Sequence, residues 1–446
     1  MSRQSTSVLC LVACTALLWG VWRVSSTAEE APPELQFWPF GRPRPAAAPV
    51  QRKSPAAVTK QQPAAAAPVV LPPEKMPSIR VGLLSEPKRS VALEMSQPFV
   101  VRAIGSDKIL FRSERSGPIS VAATAKGLKL GKRDLAATQI EIFPSQSPGV
   151  WVEGHQYRGT VRIHRQSGNL ATAVNVLPLE DYVGSVIDSE MPAAFPNEAR
   201  KAQAIVGRTY ALYQMEVAER GSIADLFAST RSQKYLGYQY REGGKLLAGE
   251  SESSRKIAAA TRGQVCRYRG KMFCTYYCAV CGGNTVRGTE VFSDAAPPLV
   301  SVKCDFCREA RLYRWTAEIS KGEMQKELDP WLKEKGQPTG ALKTVSLARP
   351  TAGGGSLPEF DIRAGQQSVR ISGAELRQLL SGRGLYSPRF TIVDRGKILE
   401  INGRGHGHGV GLCQWGARGQ AVEGKTCTQI LQYYYPGMSL ATRTWK

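Results

Sequence analysis

The sequence is short of acidic side chains. Its 446 residues include 37 aspartate and glutamate residues against 59 lysine and arginine residues, which gives a formal net charge of +22. A surplus of this size excludes a protein that is electrostatically indifferent to its partners, and it predicts attraction to a polyanion. Nucleic acid, anionic lipid and cell-wall polymers are the polyanions to consider.

Large apolar side chains are scarce between residues 29 and 76, where proline and alanine dominate. Such a stretch cannot supply a hydrophobic core, and its composition is typical of an extended, partly polyproline spacer. The sequence also lacks a repeat of solenoid length, which excludes that class of fold. We therefore expect the folded part to occupy residues 77–446.

A long apolar run lies at the N-terminus. Arg3 precedes an apolar stretch at residues 8–22, and small and polar residues follow as far as Ala28. This order is typical of an export signal, so residues 1–28 are interpreted as a signal peptide or an uncleaved membrane anchor. An exported protein acts outside the cytoplasm, in the periplasm or the cell wall. Export therefore favours an extracytoplasmic polymer over nucleic acid as the partner.

Short runs of alternating apolar and polar residues begin at residue 78, separated by glycine, serine and proline. They are typical of half-buried antiparallel strands. A helical block follows, and after it come further strand-like runs with one short helix at residues 373–380. The pattern predicts an α+β fold, in which helices are inserted into a largely antiparallel β framework.

The helical block places a carboxylate on an apolar helix face. The apolar residues of that face are Leu179, Tyr182, Val183, Val186 and Ile187. Glu190 takes the next position on the same face, and Pro192 then turns the chain. A carboxyl group that is partly desolvated at a helix end has a raised pKa, which suits a general acid at neutral pH. The pattern also allows Glu190 to cap or pair with the next helix.

Four ordered segments carry a family resemblance. They read LPLEDYVGSVIDSEMP with AAFPNEARKAQAIVGRTYAL, then ASTRSQKYLGY, CGGNT, and GRGHGHGVGLCQWGARGQA with GKTCTQILQYYYPG. With these segments, residues 79–440 closely resemble the stage II sporulation protein D family (SpoIID/LytB). That family comprises extracytoplasmic peptidoglycan proteins, of which some are lytic transglycosylases and others are described as amidase enhancers. In the enzymes the glutamate of the Glu-Met-Pro motif is the catalytic acid/base, a role that the resemblance assigns to Glu190.

The resemblance thus predicts a lytic transglycosylase that cuts peptidoglycan glycan strands. Hydrolysis of a glycoside normally needs two carboxyl groups. In a lytic transglycosylase the sugar's own hydroxyl attacks the anomeric carbon, so one glutamate can act first as acid and then as base. Asp188 receives no catalytic role, because a residue two positions away on a helix points away from Glu190.

The Gly-His-Gly-His-Gly segment near the C-terminus alternates glycine with two of the four histidines of the chain. Glycine lets backbone approach a ligand closely, and His406 and His408 share one side if the segment is extended. We interpret the segment as a substrate-binding loop beside Glu190, with Gln414 and Tyr435 as further candidates for contact with sugar. A tight turn with polar packing is the alternative.

Two C-x-x-C pairs follow the helical block, Cys278 with Cys281 and Cys304 with Cys307. Their separation is typical of a tetrahedral zinc site, so these four cysteines are predicted to bind one structural zinc ion. Cys274 is a candidate to replace one of the ligands. Because the chain is interpreted as exported, a pair of disulfides is the competing interpretation.

Three other functions fit parts of the sequence. The first is a noncatalytic peptidoglycan-binding protein that stimulates a cell-wall amidase. The second is a cysteine peptidase with Cys413 as nucleophile, which is disfavoured because no separate orienting acid accompanies it. The third is a zinc-ribbon nucleic-acid binder, against which the export signal counts.

Overall fold

The computed structural model describes residues 69–70, 74–106, 108–337, 339–350 and 355–445, which belong to one compact unit. The predicted export signal and nearly all of the proline- and alanine-rich spacer lie outside these residues. In the part of the chain that is described, no helix is both long enough and apolar enough to cross a membrane.

Thirteen strands precede the first helix in the described residues. They are β1 (Val69–Val70), β2 (Ser78–Gly82), β3 (Ser90–Met95), β4 (Phe99–Ala103), β5 (Ile109–Ser113), β6 (Ser116–Thr124), β7 (Gly127–Leu130), β8 (Arg133–Leu135), β9 (Gln139–Pro144), β10 (Val150–Val152), β11 (His155–Tyr157), β12 (Thr160–Gln166) and β13 (Leu170–Pro178). Their alternating burial, as in β3, is the period-2 pattern that the sequence shows.

Seven helices follow within the described ranges. They are α1 (Leu179–Glu190), α2 (Asn197–Val217), α3 (Glu252–Ala260), α4 (Lys321–Glu334), α5 (Gly373–Leu379), α6 (Gln414–Val422) and α7 (Cys427–Tyr434). The strands between and after them are β14 (Leu226–Phe227), β15 (Gln239–Glu242), β16 (Lys245–Ala248), β17 (Gln264–Tyr268), β18 (Lys271–Met272), β19 (Tyr277–Cys278), β20 (Trp315–Ser320), β21 (Leu342–Arg349), β22 (Glu359–Ala364), β23 (Gln367–Ser372), β24 (Phe390–Asp394), β25 (Ile398–Gly403), β26 (Leu412–Cys413) and β27 (Ser439–Thr442).

Most strand pairs are antiparallel, which confirms the predicted α+β class with a largely antiparallel framework. The two largest sheets have the orders β16-β15-β11-β10-β3-β6-β7-β8 and β14-β2-β13-β12-β9-β4-β5. Their apolar faces share one core with α1, to which Ile79, Val161 and Tyr182 contribute. The long strand β13 leads directly into α1, so the framework fixes where that helix starts.

Two further cores lie beyond this one. The second surrounds α2, α6 and α7 and contains buried cysteines, among them Cys281 and Cys413. The third belongs to residues 315–403, which we call the inserted region because they lie between Cys307 and Cys413 in the sequence. The inserted region consists of two three-stranded sheets with α4 and α5.

The structure contains helices that the sequence pattern did not predict, namely α3, α4, α6 and α7. Helix α6 shows the reason most clearly. It contains Gly416 and Gly419, which are weak helix formers. Their lack of a side chain permits close packing, since a Cβ on Gly419 would lie 2.5 Å from the carbonyl oxygen of Phe306. Tertiary contact, rather than local preference, therefore makes this segment helical.

Candidate active site

Helix α1 ends at Glu190. The five apolar residues of its predicted face are all buried, which confirms the helical stripe. Met191 has the extended conformation that Pro192 imposes on the residue before it (φ −138°, ψ 128°). The carboxyl group is therefore held at the last position of the helix, at the end of an apolar face.

A loop that contains Lys234 lies along the end of α1. The backbone N–H of Lys234 donates to Oε1 of Glu190 at 2.5 Å. The N–H of Leu236 donates to the Oγ of Ser189 at 3.2 Å. Neighbouring side chains of the helix thus accept backbone N–H groups from one loop, and this pairing orients the Glu190 carboxyl group.

Tyr277 is a second donor to Glu190. Its hydroxyl hydrogen-bonds to the carboxyl group and accepts a hydrogen bond from Nε2 of Gln233 at 3.2 Å. The Oε1 of Gln233 in turn accepts from the hydroxyl of Tyr182 at 3.0 Å. Because the hydroxyl oxygen of Tyr277 accepts a hydrogen bond from Gln233, the hydroxyl proton of Tyr277 is directed at Glu190.

Gln414 is the third donor. Its side chain hydrogen-bonds to Glu190, and its Nε2 also donates to Oε1 of the fully buried Gln203 at 3.3 Å. Gln414 is the first residue of α6 and is itself buried. The prediction placed Gln414 in contact with sugar, whereas the structure places it against the carboxyl group. Its position is that of a residue that orients Glu190.

Burial raises the pKa of Glu190 above its ordinary value of 4.5. The hydrogen bonds from the Lys234 N–H and the Tyr277 hydroxyl favour the ionised form, but they only partly offset the loss of solvent. The C-terminal end of a helix carries partial negative charge, which acts in the same direction as burial. The raised pKa that the helix stripe predicts is thereby confirmed.

Asp188 does not share this space. Its Oδ1 accepts from Nη2 of the fully buried Arg200 at 2.6 Å. Its Oδ2 accepts from the N–H of Ser251 at 2.6 Å, just before α3. Asp188 therefore ties the last turn of α1 to α2 and α3, as expected of a residue that points away from Glu190.

The two histidines face different neighbours. The ring of His406 lies edge-on to Tyr386 at 5.8 Å between centroids. The Nδ1 of His408 accepts from the N–H of Val410 at 3.1 Å, and its ring also hydrogen-bonds to the backbone of Tyr277. Both ring nitrogens of His408 therefore have backbone partners, so this side chain supports the strand that carries Tyr277. Burial lowers the pKa of His408 to about 4.

The glycines of the Gly-His-Gly-His-Gly segment approach protein backbone. Gly405, Gly407 and Gly409 all have φ between 81° and 93°, so the segment is not a regular extended strand. A Cβ on Gly405 would lie 2.5 Å from the carbonyl oxygen of Val280. The glycines are needed for packing against the chain near residue 280. An extended segment, which is the condition for the two histidines to share one side, is not present.

Tyr435 is completely buried, which corrects the prediction that it contacts sugar. Its hydroxyl donates to the carbonyl oxygen of Tyr276 at 2.7 Å and accepts from the N–H of Leu412 at 3.2 Å. Tyr276 directly precedes β19, and Leu412 is the first residue of β26. Tyr435 therefore supports the paired strands behind the site.

Four buried cysteines have their sulfur atoms within 4.8 Å of one another, namely Cys281, Cys304, Cys307 and Cys413. All eight cysteines among the described residues are free thiols. Three of the four predicted ligands belong to this group, but Cys413 takes the place of Cys278. The physical reason is the parallel pairing of β19 with β26. In this pairing Cys413 lies directly opposite Cys278, which brings it to the other thiols. Cys278 remains a neighbour and hydrogen-bonds to Cys413. Cys274, the other candidate ligand, lies outside the group.

Four polar residues around Glu190 could not be assigned a role from the sequence, namely Gln203, Gln233, Lys234 and Tyr277. Gln233 and Lys234 lie within the ASTRSQKYLGY segment, so their signal was present without an assigned role. Tyr277 directly precedes Cys278, and Gln203 lies on an alanine-rich helix face that looked purely structural. Contacts between separate segments determine these roles.

A single half-buried glutamate at a helix end, held by three donors within an α+β framework, defines a class of protein with one positioned carboxyl group. Residues 167–268 match the stage II sporulation protein family (SpoIID). Residues 295–411 match a domain of unknown function (DUF8618).

Named relatives agree with this match. The chain is 30% identical to stage II sporulation protein D of Bacillus subtilis over 280 residues, which cover 60% of this chain and 76% of that protein. It is 27% identical to the amidase enhancer of Bacillus subtilis over 342 residues, or 67% of this chain and 46% of that protein. An uncharacterized protein of Brachyspira hyodysenteriae is 29% identical over 360 residues, or 80% and 91% of the two chains. The chain belongs to the stage II sporulation protein D family, as its motifs predict.

Proposed function

We propose that this protein is an extracytoplasmic lytic transglycosylase that cuts peptidoglycan glycan strands with Glu190 as its acid/base. The observation that carries the proposal is the half-buried carboxyl group of Glu190, whose pKa is raised and which three donors hold in place. A raised pKa makes a carboxyl group better suited to act as a proton donor. The net charge of +22 favours a wall that contains anionic polymer.

The reaction needs two proton transfers, both at Glu190. Protonated Glu190 donates its proton to the glycosidic oxygen while the bond from that oxygen to the anomeric carbon breaks. The ionised carboxylate then takes the proton of a hydroxyl on the same sugar as that hydroxyl bonds to the anomeric carbon. The carboxyl group is protonated again at the end, water is not consumed, and the product is an anhydro sugar.

The direct test is product analysis. The full chain is incubated with peptidoglycan strands, with and without stem peptides, and the fragments are weighed by mass spectrometry. The proposal predicts fragments that end in an anhydro sugar. Fragments with a hydrated reducing end would indicate hydrolysis and would require a second carboxyl group.

The second candidate function is a noncatalytic enhancer of a cell-wall amidase. It is favoured by the likeness to a protein named amidase enhancer. This function requires glycan binding and an amidase as partner, but no turnover by the chain itself. Absence of fragments on every glycan, together with faster cleavage of stem peptides by an added amidase, would favour it.

We also propose that the four clustered cysteines hold one structural zinc ion. A tetrahedral zinc site with Zn–S bonds of about 2.3 Å places its sulfur atoms about 3.8 Å apart. The sulfur atoms of Cys281 and Cys307 are 3.7 Å apart. The Sγ of Cys413 accepts two backbone N–H groups, from Cys281 at 3.2 Å and from Gly416 at 3.3 Å. The residues present therefore fit the ion, which would hold the start of α6.

Metal analysis tests the zinc site. Protein purified without chelator is expected to contain about one zinc per chain, as the ligand count requires. Cys413→Ser should lower the zinc content and the melting temperature, whereas Cys274→Ser should leave the zinc content unchanged. Full zinc content in Cys413→Ser, or thiols oxidised to disulfides in the native protein, would contradict the proposal.

A further inference from the structure

Three arginines without an acidic partner surround the two histidines. Arg377, on α5, and Arg311 are the charges that act on His406, and Arg377 also acts on His408. Arg404 directly precedes the Gly-His-Gly-His-Gly segment. None of the three arginines forms an ion pair with a carboxylate of the described residues, although many arginines of this chain do so.

Arg377 is the least satisfied of the three arginines. It is half-buried, and its Nε is buried without a hydrogen-bond partner in the described residues. A buried charged donor that lacks an acceptor is costly, so folded proteins normally supply one. Burial lowers the pKa of this guanidinium, in line with its poor solvation. An acceptor from a ligand would remove the cost.

His408 connects the arginines to Glu190, because the charge of Arg377 acts on its ring. His408 hydrogen-bonds to the backbone of Tyr277, and the hydroxyl of Tyr277 hydrogen-bonds to Glu190. Tyr277, the first residue of β19, thus lies between His408 and Glu190. A polymer that passes Glu190 would bring neighbouring sugars toward Arg377.

We propose that Arg377, aided by Arg311 and Arg404, binds a carboxylate carried by the glycan next to the bond that Glu190 cuts. This inference rests on the proposed function. Every muramic acid of peptidoglycan carries a lactyl ether, whose carboxylate is either free or capped by a stem peptide that has carboxylates of its own. A guanidinium is the side chain best matched to a carboxylate, because its fork donates two parallel hydrogen bonds.

Binding is measured by calorimetry on the full chain with Glu190→Gln, so that no ligand is consumed. Three probes are used. The first is glycan freed of stem peptides, the second is the same glycan with its lactyl carboxylates converted to methylamides, and the third is glycan with stem peptides. Adding Arg377→Gln should weaken binding of a carboxylate-bearing probe at least about tenfold and leave the methylamide probe unchanged.

The first and third probes identify the source of the carboxylate. A loss confined to the peptide-free glycan assigns the lactyl carboxylate, and a loss confined to the third probe assigns a stem-peptide carboxylate. Equal binding of the free and methylamide glycans, with no effect of Arg377→Gln on the third probe, would overturn the inference. An equal loss on all three probes would overturn it as well.

Arg370→Gln is the matched control, because Arg370 is an exposed arginine of the inserted region that pairs with Asp361. It removes the same unit of charge and should leave binding unchanged. If Arg377→Gln fails to fold, Arg311→Gln and Arg404→Gln replace it, since both side chains are exposed. Fragment analysis of the wild type is independent of these measurements, so a failure of the catalytic proposal would be recognised separately.

Discussion

Helix α1 carries a half-buried carboxyl group near each end, and the two have opposite pKa shifts. Burial acts to raise the pKa of both. At Glu180 the charge and hydrogen bonds of Arg208 outweigh burial, so the pKa is lowered. At Glu190 the donors are mostly neutral and burial prevails, so the pKa is raised. The partner, rather than burial alone, decides which carboxyl group is held as an acid.

The surroundings of Glu180 favour the ionised form of its carboxyl group. Arg208 is completely buried and donates to both carboxylate oxygens of Glu180, at 2.9 and 2.7 Å. The N–H of Gly263 and the Nε1 of Trp445 add two donors at 3.1 Å. The positive end of the helix dipole also favours the charge. Glu180 therefore stabilises the fold, whereas Glu190 is the carboxyl group proposed as acid/base.

The largest expected effect comes from Glu190→Gln. The amide keeps the shape of the side chain but cannot donate the proton, so glycan cleavage should fall by about 10²–10⁴-fold. Folding stability at neutral pH should be equal or higher, because the variant no longer buries a group that resists ionisation. Fragment yield and urea unfolding measure the two effects. Cleavage at the wild-type rate would refute the proposed mechanism.

Glu180→Gln is the matched change at the other end of the helix. It leaves the Arg208 charge buried without its counterion, so the free energy of unfolding at pH 7 should fall by about 3–5 kcal/mol. Because the folded pKa of Glu180 is lowered, its stabilising contribution is present above pH 4.5 and disappears as pH falls through the folded pKa. The difference from wild type should therefore narrow in acid. A constant difference from pH 7 to pH 3 would contradict this account of the helix end.

Tyr277→Phe should have a smaller effect on activity. It removes one donor to the ionised form of Glu190, so the pKa of Glu190 should rise further and the pH–rate profile should shift to higher pH. A hydrogen bond to a charged group contributes about 1.5–3 kcal/mol, which corresponds to a shift of roughly one to two pH units. Tyr182→Phe is the control. It removes the hydrogen bond from Tyr182 to Gln233 and leaves that from Tyr277 to Glu190 in place, so it should shift the pH–rate profile less. Equal shifts would argue against a direct bond from Tyr277.

Helix α1 could be predicted because the sequence pattern that defines it is local. Five apolar residues at helical spacing and one proline place Glu190 at a helix end, whatever the rest of the chain does. The local sequence pattern did not predict α6, because this helix contains two glycines and depends on contacts with neighbouring segments. Period-2 alternation likewise identified the strands but not their order within the two large sheets.

The proposed metal ligands and the polar residues around Glu190 were harder to predict, because they depend on contacts between segments that are far apart in the sequence. Cys413 joins the other three thiols only when β26 pairs with β19. Tyr277 reaches Glu190 from that same strand, while Gln233 arrives from the loop beside α1. The sequence contains all of these residues, but only their three-dimensional proximity assigns the roles.

The most direct test of the central claim is a titration of the two carboxyl groups by carbon NMR. Protein labelled with ¹³C at glutamate is titrated, and Glu190→Gln and Glu180→Gln assign the two signals. The account predicts that Glu190 titrates above 4.5 and Glu180 below it. A Glu190 signal that titrates at or below 4.5 would contradict the claim that this residue is held as the acid.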